Sequence, residues 1–125
     1  MTMPLVELQQ QFIREVVHCI QVEWDRVEIH NEFYVYEGTD LEQSTSVSFL
    51  GDAWTDLDLS FDVIRLMFAM RNAKPEGQTE HWTSMDFRLD STGKFSFEYG
   101  YGIPSMAART IAAWERRGGD SMASE

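Results

Sequence analysis

Residues 84–101 carry the pattern that most limits how this chain can fold. Met85, Phe87 and Leu89 alternate with Ser84, Asp86, Arg88 and Asp90. After Asp90-Ser-Thr-Gly93, the rings of Phe95, Phe97, Tyr99 and Tyr101 alternate with Ser96, Glu98 and Gly100. A period of two puts each set on its own face of a strand. Asp90 and Gly93 supply turn chemistry between the two runs. The stretch therefore reads as a β-hairpin with one aromatic face and one polar face. An aromatic face of that size must be covered, so helices have to pack on it.

The rest of the chain supplies such helices. Leu5, Leu8, Phe12, Ile13, Val16, Val17 and Ile20 recur at three- and four-residue steps, which predicts an amphipathic helix over residues 4–21 with Pro4 in its first turn. Val63, Ile64, Met67, Phe68 and Met70 predict a second over residues 59–73, capped by Asp58 or Ser60 and ended by Lys74-Pro75. A third opens at Ile103-Pro-Ser105, buries Ala107, Ile111 and Trp114, and stops at Gly118-Gly119. Between the first two helices, Val27, Ile29, Phe33 and Val35 share one parity and Glu28, Glu32, Tyr34 and Tyr36 the other. This predicts a long strand over residues 24–37, with a bulge near Asn31. Residues 38–44 read as a turn, Thr45–Leu50 as a second strand with Val47 and Phe49 inward, and residues 51–58 as an acidic loop. The expected fold is α+β, in the order α-β-β-α-β-β-α. It has a four-stranded, mainly antiparallel sheet and helices on its apolar face. One domain over residues 1–117 and a flexible tail over 118–125 are expected.

Charge narrows the function. The net charge is −11. Thirteen acids and two bases (Arg14, Arg26) lie in residues 1–62, whereas residues 63–125 carry eight of each. An acidic half repels nucleic acid and anionic membranes and attracts basic surfaces. With no secretory pattern at the N-terminus, no apolar run long enough to span a bilayer and the single Cys19, the cytoplasm is the expected compartment.

Residue chemistry points away from catalysis. His18, His30 and His81 show no metal-ligand spacing and read as structural histidines, and Cys19 reads as a core residue of the first helix. Gly100-Tyr-Gly102 lacks the remaining parts of a phosphate loop. Asp52, Asp56, Asp58 and Asp62 lack the register of a calcium loop. No cofactor, metal or enzymatic activity is expected. Trp24, Trp82 and Trp114 read as core. Trp54, among Asp52, Asp56 and Asp58, reads equally as an interface anchor or as a ring folded back on the core. The partner-binding surface is expected on the acidic stretch. Its first members are Glu28, Glu32, Glu37, Asp40 and Glu42, and Asp52, Trp54, Asp56 and Asp58 complete it.

The ordered string of short motifs resembles the YezG-like immunity proteins of bacterial polymorphic toxin systems. The motifs are Val22-Glu-Trp24, Phe33-Tyr-Val-Tyr36, Gly77 ahead of His81-Trp-Thr83, Asp90-Ser-Thr-Gly-Lys-Phe95, Phe97-Glu-Tyr-Gly-Tyr101, and Arg109 with Trp114-Glu-Arg116. The resemblance covers roughly residues 5–117. The segment Ile64–Met70 is more apolar than is usual in that family. The resemblance implies a cytoplasmic antitoxin. It would bind the C-terminal toxin domain of a secreted effector, often a nuclease, with no nucleic acid or membrane partner. A small enzyme with a carboxylate or histidine site, and an acidic adaptor or DNA mimic, are the alternative readings.

Overall fold

The computed structural model describes residues 4–74, 77 and 79–124, with side chains described as far as Arg117. The elements are α1 (Leu5–Cys19), β1 (Arg26–Tyr36), β2 (Thr39–Leu50), β3 (Ala53–Asp56), α2 (Phe61–Ala73), β4 (Ser84–Asp90), β5 (Phe95–Gly100) and α3 (Ser105–Ser124). The fold is α+β, and its antiparallel sheet has five strands in the order β3-β2-β1-β4-β5.

The hairpin that the alternation predicts is β4–β5, with Phe87 opposite Phe97 and Met85 opposite Tyr99. Asp90 holds its turn by accepting the N–H groups of Thr92 and Lys94 at 2.9 and 3.1 Å. Met85, Phe87 and Leu89 are buried with Val27 and Ile29 of β1. Against them lie Leu8, Phe12 and Val16 of α1 and Val63, Met67 and Met70 of α2. Phe12 meets Phe87 edge-on at 5.0 Å, and Trp82 stacks on Tyr99 at 5.7 Å. Burying each such side chain contributes roughly 1.5–3 kcal/mol. Trp82 is buried and Trp24 packs against this core, whereas Trp114 is 37% exposed and Phe95 53% exposed.

Several sequence expectations are corrected. The β1–β2 connection is the two-residue turn Glu37-Gly38, both at positive φ (48° and 81°), and β2 begins at Thr39. Pairing with the long apolar strand β1 draws the polar segment 39–44 into the sheet. The β1–β2 register is one-to-one from Tyr36↔Thr39 to Arg26↔Phe49, so there is no bulge at Asn31. That register sets the parity of β2. Val27 and Ile29 lie opposite Ser48 and Ser46, so the serines share the main core's face, and Val47 and Phe49 point to the opposite face. The two hydroxyls are satisfied by Leu57 C=O at 2.6 Å (Ser46) and Thr55 C=O at 3.5 Å (Ser48). The acidic loop contains β3, the fifth strand, which returns from β2 through Gly51-Asp52, with Gly51 at φ 59°.

The helices occupy both faces rather than one. α1 and α2 cover the aromatic face. α3 lies across the other, where Ala107 and Ile111 bury Leu41 and pack on Tyr34 and Tyr36. α3 also continues past Gly118-Gly119 to Ser124, since glycine in a helix costs about 1 kcal/mol without forbidding it. Ser60 is the cap of α2, its Oγ accepting Val63 N–H at 3.3 Å. α2 ends at Ala73, followed by Lys74 at φ 52°. Pro75, the expected stop, lies outside the described residues.

Candidate functional site

α3 covers only one end of its face. The remainder of that face, formed by β1, β2, β3, β4 and β5 around Glu28, is open. Its cross-strand rows follow from the register: Trp54–Phe49–Arg26–Asp90, then Asp56–Val47–Glu28–Arg88, then Thr45–His30–Asp86–Glu98. The middle of this surface forms a cleft of ≈ 420 Å³ whose lining includes Val47, Phe49 and His30 together with Glu28, Asp86 and Glu98. Glu28 pairs with Arg26 at 2.8 Å and approaches Arg88 at 3.5 Å. The Arg26 guanidinium lies 4.1 Å from the centre of the Phe49 ring.

Where the cleft meets α3, three side chains form a chain of charge. His30 Nδ1 lies 2.6 Å from Asp86 Oδ1, and its Nε2 lies 2.7 Å from Glu32 Oε2. Glu32 is 1% exposed. Its carboxylate accepts the N–H of Met106 at 3.0 and 3.2 Å and that of Ala107 at 3.0 Å. It therefore caps α3 from a neighbouring strand, where the unpaired N–H groups and the helix dipole favour an anion. Both His30 nitrogens face carboxylate oxygens, so both bonds form only when the ring carries two protons.

The titration follows from this geometry. Burial pushes the His30 pKa down, but the bonds to Glu32 and Asp86 and their charges outweigh it and hold it above its ordinary value. Burial pushes Glu32 up, but the bond to His30 and the N–H groups of Ala107 and Met106 bring it below. A group with a raised folded pKa contributes stability that is present below its unfolded value, about 6.5 for histidine, and is lost as pH rises through the folded value. For Glu32 the contribution is present above about 4.5 and is lost as the pH falls below that. The pair therefore contributes most between these limits. The urea midpoint should fall on going from pH 6 to alkaline pH, and more steeply in the wild type than in His30→Gln. Parallel slopes in the two proteins would show that His30 does not carry the dependence.

The expected contact residues separate into groups. Asp52, Trp54, Asp56 and Asp58 lie along the β3 edge, all exposed, and Glu28 lies on the open face beside them. Trp54 is 63% exposed, which resolves its two readings in favour of a ring that meets solvent. Glu32 is an internal cap rather than a surface group. Glu37 sits in the hairpin turn, with Asp40 and Glu42 exposed near that end of β2. Asp40 is nine positions from Phe49, roughly 30 Å along the strand. Sequence reasoning took His30 as a structural histidine and Asp86 as part of the hairpin's polar face, and did not bring the two together. Their common row on adjacent strands appears only once β1 and β4 are known to pair.

Among the described residues no helix is long and apolar enough to cross a membrane, and no cluster of His, Cys, Asp and Glu has the spacing to hold a metal ion. Models of known protein families give no match to this sequence, and neither do curated proteins.

Proposed function

We propose that this protein neutralises another protein by binding it, as the immunity proteins of the YezG-like family do with the toxin domains of secreted effectors. The partner in this reading is a basic domain, such as a nuclease with a cationic cleft. The observation that carries the reading is Trp54, a large ring held 63% exposed on an edge strand between the exposed acids Asp52 and Asp56. Phe49, directly across the ladder, extends the apolar strip. Buried aromatic anchors supply affinity at interfaces, and surrounding charge guides encounter.

The test is co-expression with the toxin domain of an effector encoded beside this chain, read as growth. Wild-type protein should restore growth. Trp54→Ala should weaken binding by at least ~10-fold, mainly through faster dissociation. A Glu28/Asp52/Asp56→Gln/Asn variant should slow association at low salt. A toxin that kills equally with and without the wild-type chain would remove the proposal.

A further inference from the structure

The ladder shows which groups of β3 are free to meet another chain. The two-residue turn makes Leu50 and Ala53 a hydrogen-bonded pair, and such pairs alternate in an antiparallel ladder. Ser48 and Thr55 are the next pair. Leu57 N–H donating to Ser46 C=O at 3.0 Å continues the same phase. Trp54 and Asp56 therefore direct their backbone N–H and C=O groups away from β2. β3 is the outermost strand on its side of the sheet, and all four of its residues are exposed. An open edge of this kind is a template for another strand.

A groove of ≈ 550 Å³ runs beside this edge, between the end of α1 and the start of α2. Ile20, Leu57 and Leu59 contribute apolar surface to it, and Glu15, Asp58 and Asp62 add charge. Among the described residues no Lys or Arg lines it. The opposite edge of the sheet differs, because Arg88 and Lys94 lie beside Phe95 of β5.

We propose that β3 is a docking edge for an extended, basic segment of a partner protein, which joins the sheet as an added strand. Its backbone pairs with Trp54 and Asp56. Its side chains alternate, one set entering the acidic groove and the other passing beside the Trp54 ring on the open face. Charge complementarity selects a segment rich in Lys or Arg, and it selects β3 over β5. This inference rests on the reading of the chain as a binder of a basic protein and specifies how the two meet.

The experiment is selection of a phage-displayed library of random short peptides on the full chain, followed by amide hydrogen exchange of the complex by NMR. Selected peptides should carry Lys or Arg at alternate positions, and they should slow exchange at Trp54 and Asp56. Trp54→Pro should bind at least ~10-fold more weakly than Trp54→Ala, because both lack the ring and only proline lacks the outward N–H. The exchange measurement on the wild-type complex decides the matter even if the proline variant does not fold. Basic peptides that protect the His30 cleft or β5 instead would overturn the docking edge and leave the basic-partner reading standing. Peptides without a basic excess would overturn both, and a selection that enriches nothing would overturn the edge.

Discussion

Glu32→Ala should destabilise the protein by about 3–5 kcal/mol, far more than a surface acid is worth. The carboxylate is buried and accepts three contacts from the N–H groups of Met106 and Ala107, with His30 on its other side. Removing it leaves the first turn of α3 uncapped and takes one partner from an imidazolium that is itself partly buried. Leaving a buried donor unpaired costs roughly 1–3 kcal/mol, and the charge adds to this. Glu32→Gln keeps an acceptor for the helix and should cost less than the alanine change. Urea unfolding followed by circular dichroism measures both. A loss below ~1 kcal/mol for Glu32→Ala would mean that water replaces the carboxylate and that the cap contributes little.

Phe87→Ala should cost a further large amount in a separate region, ~3–5 kcal/mol by transfer and cavity formation. The ring is 1% exposed. It lies 5.0 Å from Phe12 and 4.8 Å from Phe97, so it joins α1 to both strands of the hairpin. In Phe12→Ala/Phe87→Ala the two losses should be non-additive by about 0.5–1.5 kcal/mol, the worth of an aromatic pair beyond its area. Urea midpoints of the two single variants and the double variant test this. Strict additivity would show that the two rings stabilise the fold independently.

How much of this was legible depended on whether a residue's environment is local. The β4–β5 hairpin, the first two helices and the start of the third follow from periodicity and lie near their expected bounds, and so does the buried parity of β1 at Val27 and Ile29, although α3 runs on to Ser124, Val35 is exposed and Glu32 is buried. The parity of β2 does not follow, because Val47 and Phe49 look inward by their chemistry. The register imposed by the turn at Glu37-Gly38 places Ser46 and Ser48 on the core face instead. β3 hid in an acidic segment that reads as a loop, and its strand character comes from pairing with β2. The same holds for function. Trp54 and its acids are adjacent in sequence and stood out at once. His30, Glu32 and Asp86 form one constellation only through strand pairing, and Glu32 passed for a surface acid because its helix partner lies more than seventy residues away.

The position of α3 on its own side of the sheet gives the molecule two unequal cores that share only the strands between them. The larger one holds α1, α2 and most of the buried rings. The smaller one consists of Leu41, Ala107 and Ile111 beneath two tyrosines, with Gln43 Nε2 donating to Thr110 Oγ1 at 3.1 Å and Tyr36 donating to Glu115 at 3.1 Å as outlying ties. Lifting α3 breaks the smaller set together with the Glu32 cap and leaves the larger core intact, so the helix should open as a unit of its own at a free energy below that of global unfolding. Its backbone amides should exchange with solvent through that lesser opening, and those of β1 and β4 only when the whole domain comes apart.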